Sequence, residues 1–142
     1  MTTIRHLLQQ KGGSVYSIDA EAPVLAAIEA MARHSIGALT VMRGNELVGV
    51  VSERDYARKV ILMGRSSAET PVWAIMSAPV VTVGPDESVN SCMLLMTERK
   101  FRHLPVVVEG AVIGMLSIGD LVKSVIDEQA EQIAKLEQYI AS

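Results

Sequence analysis

Apolar residues recur along this chain at two spacings, and the order of those spacings occurs twice. A β-rich run at residues 15–18 is followed by the turn Asp19-Ala20-Glu21-Ala22-Pro23. Val24, Ala27, Ile28 and Met31 then fall at three- and four-residue spacing, which predicts a helix with one apolar face. Two more β-rich runs, 39–42 and 47–51, flank Arg43-Gly44-Asn45-Glu46, as a hairpin requires. The second run is almost wholly apolar, which predicts burial on both faces, and its Gly49 predicts close approach of another group to the backbone. A second helix is expected after Ser52, carrying Tyr56, Val60 and Ile61.

The same order returns downstream. Shifted by 65 positions, residues 16–61 lie on 81–126 without a gap, and nine positions are identical, among them Val24/Val89, Met31/Met96, Gly49/Gly114, Ser52/Ser117 and Asp55/Asp120. The second copy has a β-rich run at 80–83, a turn at 84–88 and a stripe of Val89, Cys92, Met93 and Met96. A hairpin of 104–108 and 112–116 around Glu109-Gly110-Ala111 follows, then a helix carrying Leu121, Val122, Val125 and Ile126. The chain therefore reads as α+β, two β-α-β-β-α units. Two copies in one short chain are expected to pack together, because neither buries its apolar face alone.

The flanks complete the division. An amphipathic helix is expected at 3–10, within an N-terminal segment of residues 1–14, and ends at Gly12-Gly13. The first repeat spans 15–65 and a linker 66–79. In that linker Thr70 is the expected N-cap of a short helix at 71–76, with Pro71 at its first position. The second repeat spans 80–127, and residues 128–142 extend its last helix. Ile126, Ile133 and Ile140, with Leu136 between, give that tail an apolar side expected to dock on its own chain or on a second copy.

Composition narrows the function. A net charge of −3 with no basic block and few aromatics argues against nucleic-acid binding. No apolar run reaches the length of a membrane span, and the opening Met-Thr-Thr-Ile-Arg-His does not resemble a secretory signal. The single cysteine, Cys92, forms no internal disulfide and is expected to be an inert core thiol, which suits a cytoplasmic protein. His6, His34 and His103 are scattered without metal-ligand spacing, so no metal is expected. No phosphate-binding Gly-Lys loop, dinucleotide fingerprint or nucleophile–base pair is present, so the chain is not read as an enzyme.

One tetrad carries chemistry in both copies: Ser52-Glu53-Arg54-Asp55 and Ser117-Ile118-Gly119-Asp120. Ser-x-x-acid at a helix start is a capping box, in which serine and carboxylate satisfy each other's backbone amides. The same place is also an anion site, where backbone N–H groups and a serine hydroxyl can hold phosphate. A carboxylate three residues on can accept hydrogen bonds from both hydroxyls of a ribose. The two roles are compatible.

The repeat, the strands Gly49-Val50-Val51 and Gly114-Met115-Leu116 running into Ser-x-x-Asp, and Arg102-His103-Leu104-Pro105-Val106-Val107 resemble the cystathionine-β-synthase (CBS) domain family. The resemblance covers both copies and the linker. It implies two repeats paired about a pseudo-twofold axis with two clefts that bind AMP, ADP or ATP, sometimes S-adenosylmethionine or NAD(H). It assigns the ribose to Asp55 and Asp120, the phosphate-side hydroxyl to Ser52 and Ser117, and the adenine edge to Ser17 and Thr82. Pro105 matches the family's proline in the second strand, with Arg102 and His103 ahead of it.

The first copy departs from that pattern, with Gly37, Ala38 and Thr40 at the matching places, but it alone has Arg54, opposite Gly119. Unequal clefts are therefore expected. The implied protein is a homodimeric cytoplasmic sensor in energy signalling. It would pass a ligand-induced change to a regulated protein, without nucleic acid or membrane. Two other readings stand beside it: a ligand-free interaction module whose tetrads are only caps, and an enzyme using a bound dinucleotide.

Overall fold

The structure is a computed structural model that describes residues 2–141. It divides into two compact units: one is Ser14–Val81, the other joins the chain up to Gly13 to the chain from Thr82 onward. In chain order the elements are α1 (Ile4–Lys11), β1 (Ser17–Asp19), α2 (Val24–His34), β2 (Ala38–Arg43), β3 (Glu46–Ser52) and α3 (Glu53–Tyr56). A π-helical turn (Ala57–Ile61) and a 3-10 turn (Val72–Ala74) come next, then α4 (Val89–Arg99), β4 (His103–Val108), β5 (Ala111–Ser117) and α5 (Ile118–Ala141).

In the first unit β2 pairs antiparallel with β3 and parallel with β1. The helical stripe packs as its spacing requires: Val24, Ala27 and Met31 join Leu39, Val41, Val51 and Val60 in the core. The linker closes this core with Val72 and Ile75, both fully buried. Among the bonds that sew its backbone on are Val72 N to Ala22 O (2.8 Å), Trp73 N to Ala20 O (3.0 Å) and Val24 N to Thr70 O (2.8 Å). The second unit makes the equivalents of these bonds with the N-terminal segment: Ile4 N to Glu87 O (2.9 Å), Arg5 N to Pro85 O (2.8 Å) and Val89 N to Thr2 O (3.0 Å). Thus residues 2–8 and 70–76 are equivalent pieces. The piece before the first repeat completes the second, and the linker completes the first.

Several boundaries differ from those the sequence suggests. β1 starts at Ser17 rather than at residue 15. The expected strand at 80–83 is reduced to a single bridge between Val83 and Val106, leaving a two-stranded sheet. The causes are two prolines: Ala20 donates its amide to Met42 O at 2.9 Å in the first unit, but its counterpart Pro85 has no N–H to give, and Pro105 removes the other pairing. The counterpart of Pro105, Thr40, donates its amide to Tyr16 O at 3.3 Å, whereas proline has no N–H for the matching carbonyl of Val81. The helix expected at 71–76 is only the 3-10 turn. Its N-cap is Pro71, not Thr70: Pro71 is extended at φ −75° and ψ 151°, and its carbonyl accepts the first bond of the turn, from the Ala74 amide at 3.0 Å.

β3 and β5 are not covered on both faces. Buried and half-buried residues alternate along β3, and Ile113 of β5 is exposed, as an antiparallel strand with one wet face allows. The tail is helical to Ala141, and its apolar side is left open: Ile126, Ile133, Leu136 and Ile140 are all exposed.

Candidate functional site

Both strand glycines lie under intruding side chains, as their place in apolar strands predicts. A Cβ on Gly49 would stand 2.6 Å from Met76 Sδ and 2.9 Å from Ser77 O, and one on Gly114 would stand 2.6 Å from Leu8 Cδ2. Leu8 and Met76 are themselves equivalent in the two sewn-on pieces. Each strand then runs into its tetrad, and one backbone bond fixes the turn. Glu53 N donates to Gly37 O (3.0 Å) in the first unit, and Ile118 N to Arg102 O (2.9 Å) in the second. The Arg102 side chain, exposed, therefore starts beside the N-terminus of α5, and the matching place in the first unit has no side chain at all.

The tetrads close as capping boxes. The Ser52 amide donates to Asp55 Oδ2 at 2.9 Å and the Asp55 amide to Ser52 Oγ at 3.1 Å, while the Ser52 hydroxyl also donates to Asp55 Oδ2 at 3.0 Å. In the second unit the Ser117 amide donates to Asp120 Oδ2 at 2.9 Å and the Asp120 amide to Ser117 Oγ at 3.1 Å. Each box satisfies amides that a helix start otherwise leaves without partners.

Each carboxylate also has a lysine, and the two come from different places. Lys59 lies one turn along from Asp55 and reaches Oδ1 at 3.2 Å, while its ammonium also donates to Ile75 O at 2.9 Å. Ser124 stands at the matching position of the second repeat, and there Lys11 of α1 fills the role. Its ammonium donates to Asp120 Oδ2 and to Met115 O, each at 2.7 Å. Burial opposes ionisation of Asp120, but the Lys11 hydrogen bond, the Ser117 amide and the Lys11 charge outweigh it and hold the carboxyl below its ordinary value.

The structure thus brings Ser52 and Asp55 together in one unit and Ser117 and Asp120 in the other, each with its box half-buried. Ser17 and Thr82 are exposed, Arg54 is exposed one residue into α3, His103 is half-buried at the start of β4, and Pro105 is buried. The sequence reading missed both lysines. Lys59 was visible as an i, i+4 partner of Asp55; Lys11 stands 109 residues from Asp120 and left no local signal.

Among the described residues no group of His, Cys, Asp or Glu is arranged to hold a metal, and no helix is long and apolar enough to cross a membrane. Cys92 is buried in α4. Burial first, and the Glu87 charge second, push its thiol up to about 11.

This α+β repeat, with a glycine strand running into Ser-x-x-Asp in each half, defines a class. The sequence pattern of the CBS domain matches residues 13–61 and 72–127, and the chain belongs to the CBS-domain family. It is similar to a CBS-domain protein of Burkholderia ambifaria MC40-6, 49% identical with a TM-score of 0.85, over 90% of this chain and 96% of that one. A CBS-domain protein of Agrobacterium tumefaciens is 31% identical, with a TM-score of 0.81 over 87% of this chain and 98% of that one. The mitochondrial CBS domain-containing protein CBSX3 of Arabidopsis thaliana is 40% identical over 98% of this chain and 72% of its own length. A CBS-CP12 protein from bloom-forming cyanobacteria, 26% identical with a TM-score of 0.78 over 86% of this chain and 70% of that one, is hexameric.

Proposed function

We propose that this chain is a non-catalytic regulatory module that binds adenosine-containing nucleotides at two sites, one at each Ser-x-x-Asp box. The observation that carries the reading is the duplication of one arrangement: a glycine strand, a capped helix start and a half-buried carboxylate three residues on, built twice from equivalent atoms. The serine hydroxyl at the helix start suits a phosphate, and the carboxylate suits a ribose diol. AMP, ADP and ATP are the first candidates, with NAD(H) and S-adenosylmethionine next. Arg54 at the first site, and Arg102 with His103 at the second, supply the unequal phosphate contacts. Ser17 and Thr82 supply backbone for adenine.

A sensor must change something on binding, so the ligand must favour one conformation over another, and that difference is passed to a partner protein. The Burkholderia relative is assigned provisionally to signal transduction, which agrees with this role. Self-association as a homodimer belongs to the proposal. The exposed Ile126, Ile133 and Ile140 recur every seven residues on α5, a spacing that suits a second helix. A reducing compartment suits free Cys92; the proposal takes the cytoplasm, although one relative is named mitochondrial.

A second reading, a ligand-free interaction module, has its own observation. Among the described residues no buried side-chain polar atom lacks a hydrogen-bond partner, so the boxes need no ligand for satisfaction. Mass spectrometry of small molecules released on denaturing purified protein separates the readings. A nucleotide in stoichiometric amount supports the sensor. Empty protein whose melting temperature no adenosine ligand raises supports the interaction module.

A further inference from the structure

The two boxes are chemically alike but differently guarded. At the first, the Asp55 Oδ2 position is taken by its own partner Ser52, whose hydroxyl can rotate toward a ligand without moving any other residue. At the second, Asp120 Oδ2 accepts from the Ser117 amide and from Lys11, which uses both of that oxygen's acceptor sites. A vicinal diol needs both oxygens of a carboxylate, so Lys11 must yield before a ribose can bind Asp120 in two-point fashion. Lys11 is the last residue of α1, an element held to this unit by fully buried Ile4 and nearly buried Leu7. It is followed by Gly12 at φ 67°, so the helix ends at the lysine and its side chain reaches sideways onto β5 and α5.

We propose that Lys11 is a specificity-determining residue of the second site, admitting ligands that bring a negative group to its ammonium and disfavouring those that bring only a ribose. This rests on the reading of the boxes as adenosine sites. An ammonium is a compact, strongly hydrated charge on a flexible stem with three donors, so it exchanges one acceptor for another without moving the backbone. A nucleotide phosphate offers it an anionic acceptor in place of Asp120. A neutral nucleoside offers none, and the displaced charge gives up its bond to Asp120. Lys59 does not impose the same rule at the first site: it takes one acceptor position of Oδ1, and rotation of the Ser52 hydroxyl opens one on Oδ2, so both oxygens can meet a diol while the lysine stays.

The test is calorimetric titration with adenosine and with AMP in an Asp55→Asn background, which isolates the second site, comparing Lys11, Lys11→Met and Lys11→Arg. Lys11→Met keeps the stem and removes the charge. It is expected to raise adenosine affinity about tenfold or more and to lower the AMP-to-adenosine preference by a similar factor, about 1.4 kcal/mol per tenfold. Lys11→Arg retains the preference. Appearance of adenosine binding only in Lys11→Met also supports the role. An unchanged preference, or no binding at this site in any variant while the protein with Asp55 intact binds AMP, overturns the role of Lys11 and leaves the first site standing. Failure of the protein with both aspartates intact to bind either ligand overturns the reading of the boxes themselves. Thermal unfolding of each variant checks that the fold is kept.

Discussion

Thr40 donates both its backbone amide and its hydroxyl to the carbonyl oxygen of Tyr16, each at 3.3 Å. That junction helps join β1 to β2 in a three-stranded sheet; Pro105 at the matching place, together with Pro85 in place of Ala20, leaves the second with two strands. Thr40→Pro is therefore expected to leave the Tyr16 carbonyl without these donors and to cost about 1–3 kcal/mol. Thr40→Val removes only the hydroxyl and is expected to cost about 1 kcal/mol. Urea unfolding of the two variants checks the order; equal losses contradict it.

Gly49→Ala and Gly114→Ala separate a rigid neighbour from a soft one. The new Cβ at Gly49 meets the Ser77 carbonyl at 2.9 Å, which is backbone sewn to β3, whereas at Gly114 the three nearest atoms all belong to the Leu8 side chain. Overpacking of this kind costs about 1–3 kcal/mol. The upper end is expected at Gly49 and the lower end at Gly114, read from chemical denaturation.

The lowered Asp120 value makes a pH prediction. A carboxyl with a depressed folded-state value stabilises the fold above its unfolded value, about 3.9, and loses that contribution as pH falls through the folded value. Lys11→Met is expected to cost up to about 1 kcal/mol at neutral pH, since the pair is partly exposed and screened by salt. The gap between variant and wild type should close as the solution is taken below about pH 4. A gap independent of pH contradicts the ion pair.

Cys92 should be chemically silent in the native protein. Its thiol is buried and held near 11, so little thiolate forms at pH 8. Iodoacetamide is expected to label it only after unfolding, read by intact-mass measurement; rapid native labelling contradicts its placement in the core.

How much of this was legible beforehand depends on distance along the chain. The helical stripes, both hairpins and the Ser-x-x-Asp boxes are local patterns, and they lie where the spacing of Val24, Ala27 and Met31, or the glycines before Ser52 and Ser117, put them. The lost strand at 80–83 was readable in principle, because neither Pro85 nor Pro105 can donate, but only once their partners across the sheet were known. Helix ends at Ser35 and Lys100, both left-handed at φ 54° and 59°, carried no glycine to announce them. The exchange of sewn-on segments, by which residues 2–8 complete the second repeat, is a long-range fact of backbone bonding. Lys11 on Asp120 follows from it, and so stayed hidden.

The central claim is that each repeat carries one adenosine site centred on its aspartate, and titration calorimetry of wild type, Asp55→Asn and Asp120→Asn with AMP, ADP, ATP and NADH tests it most directly. A charge-assisted hydrogen bond is worth about 1.5–3 kcal/mol, so each substitution should weaken its own site about tenfold or more and leave the other unchanged. Wild type should therefore resolve two unequal sites, and each variant one. Affinity unaltered by either substitution, or no heat from any of the four ligands with nucleotide-free protein, contradicts the account.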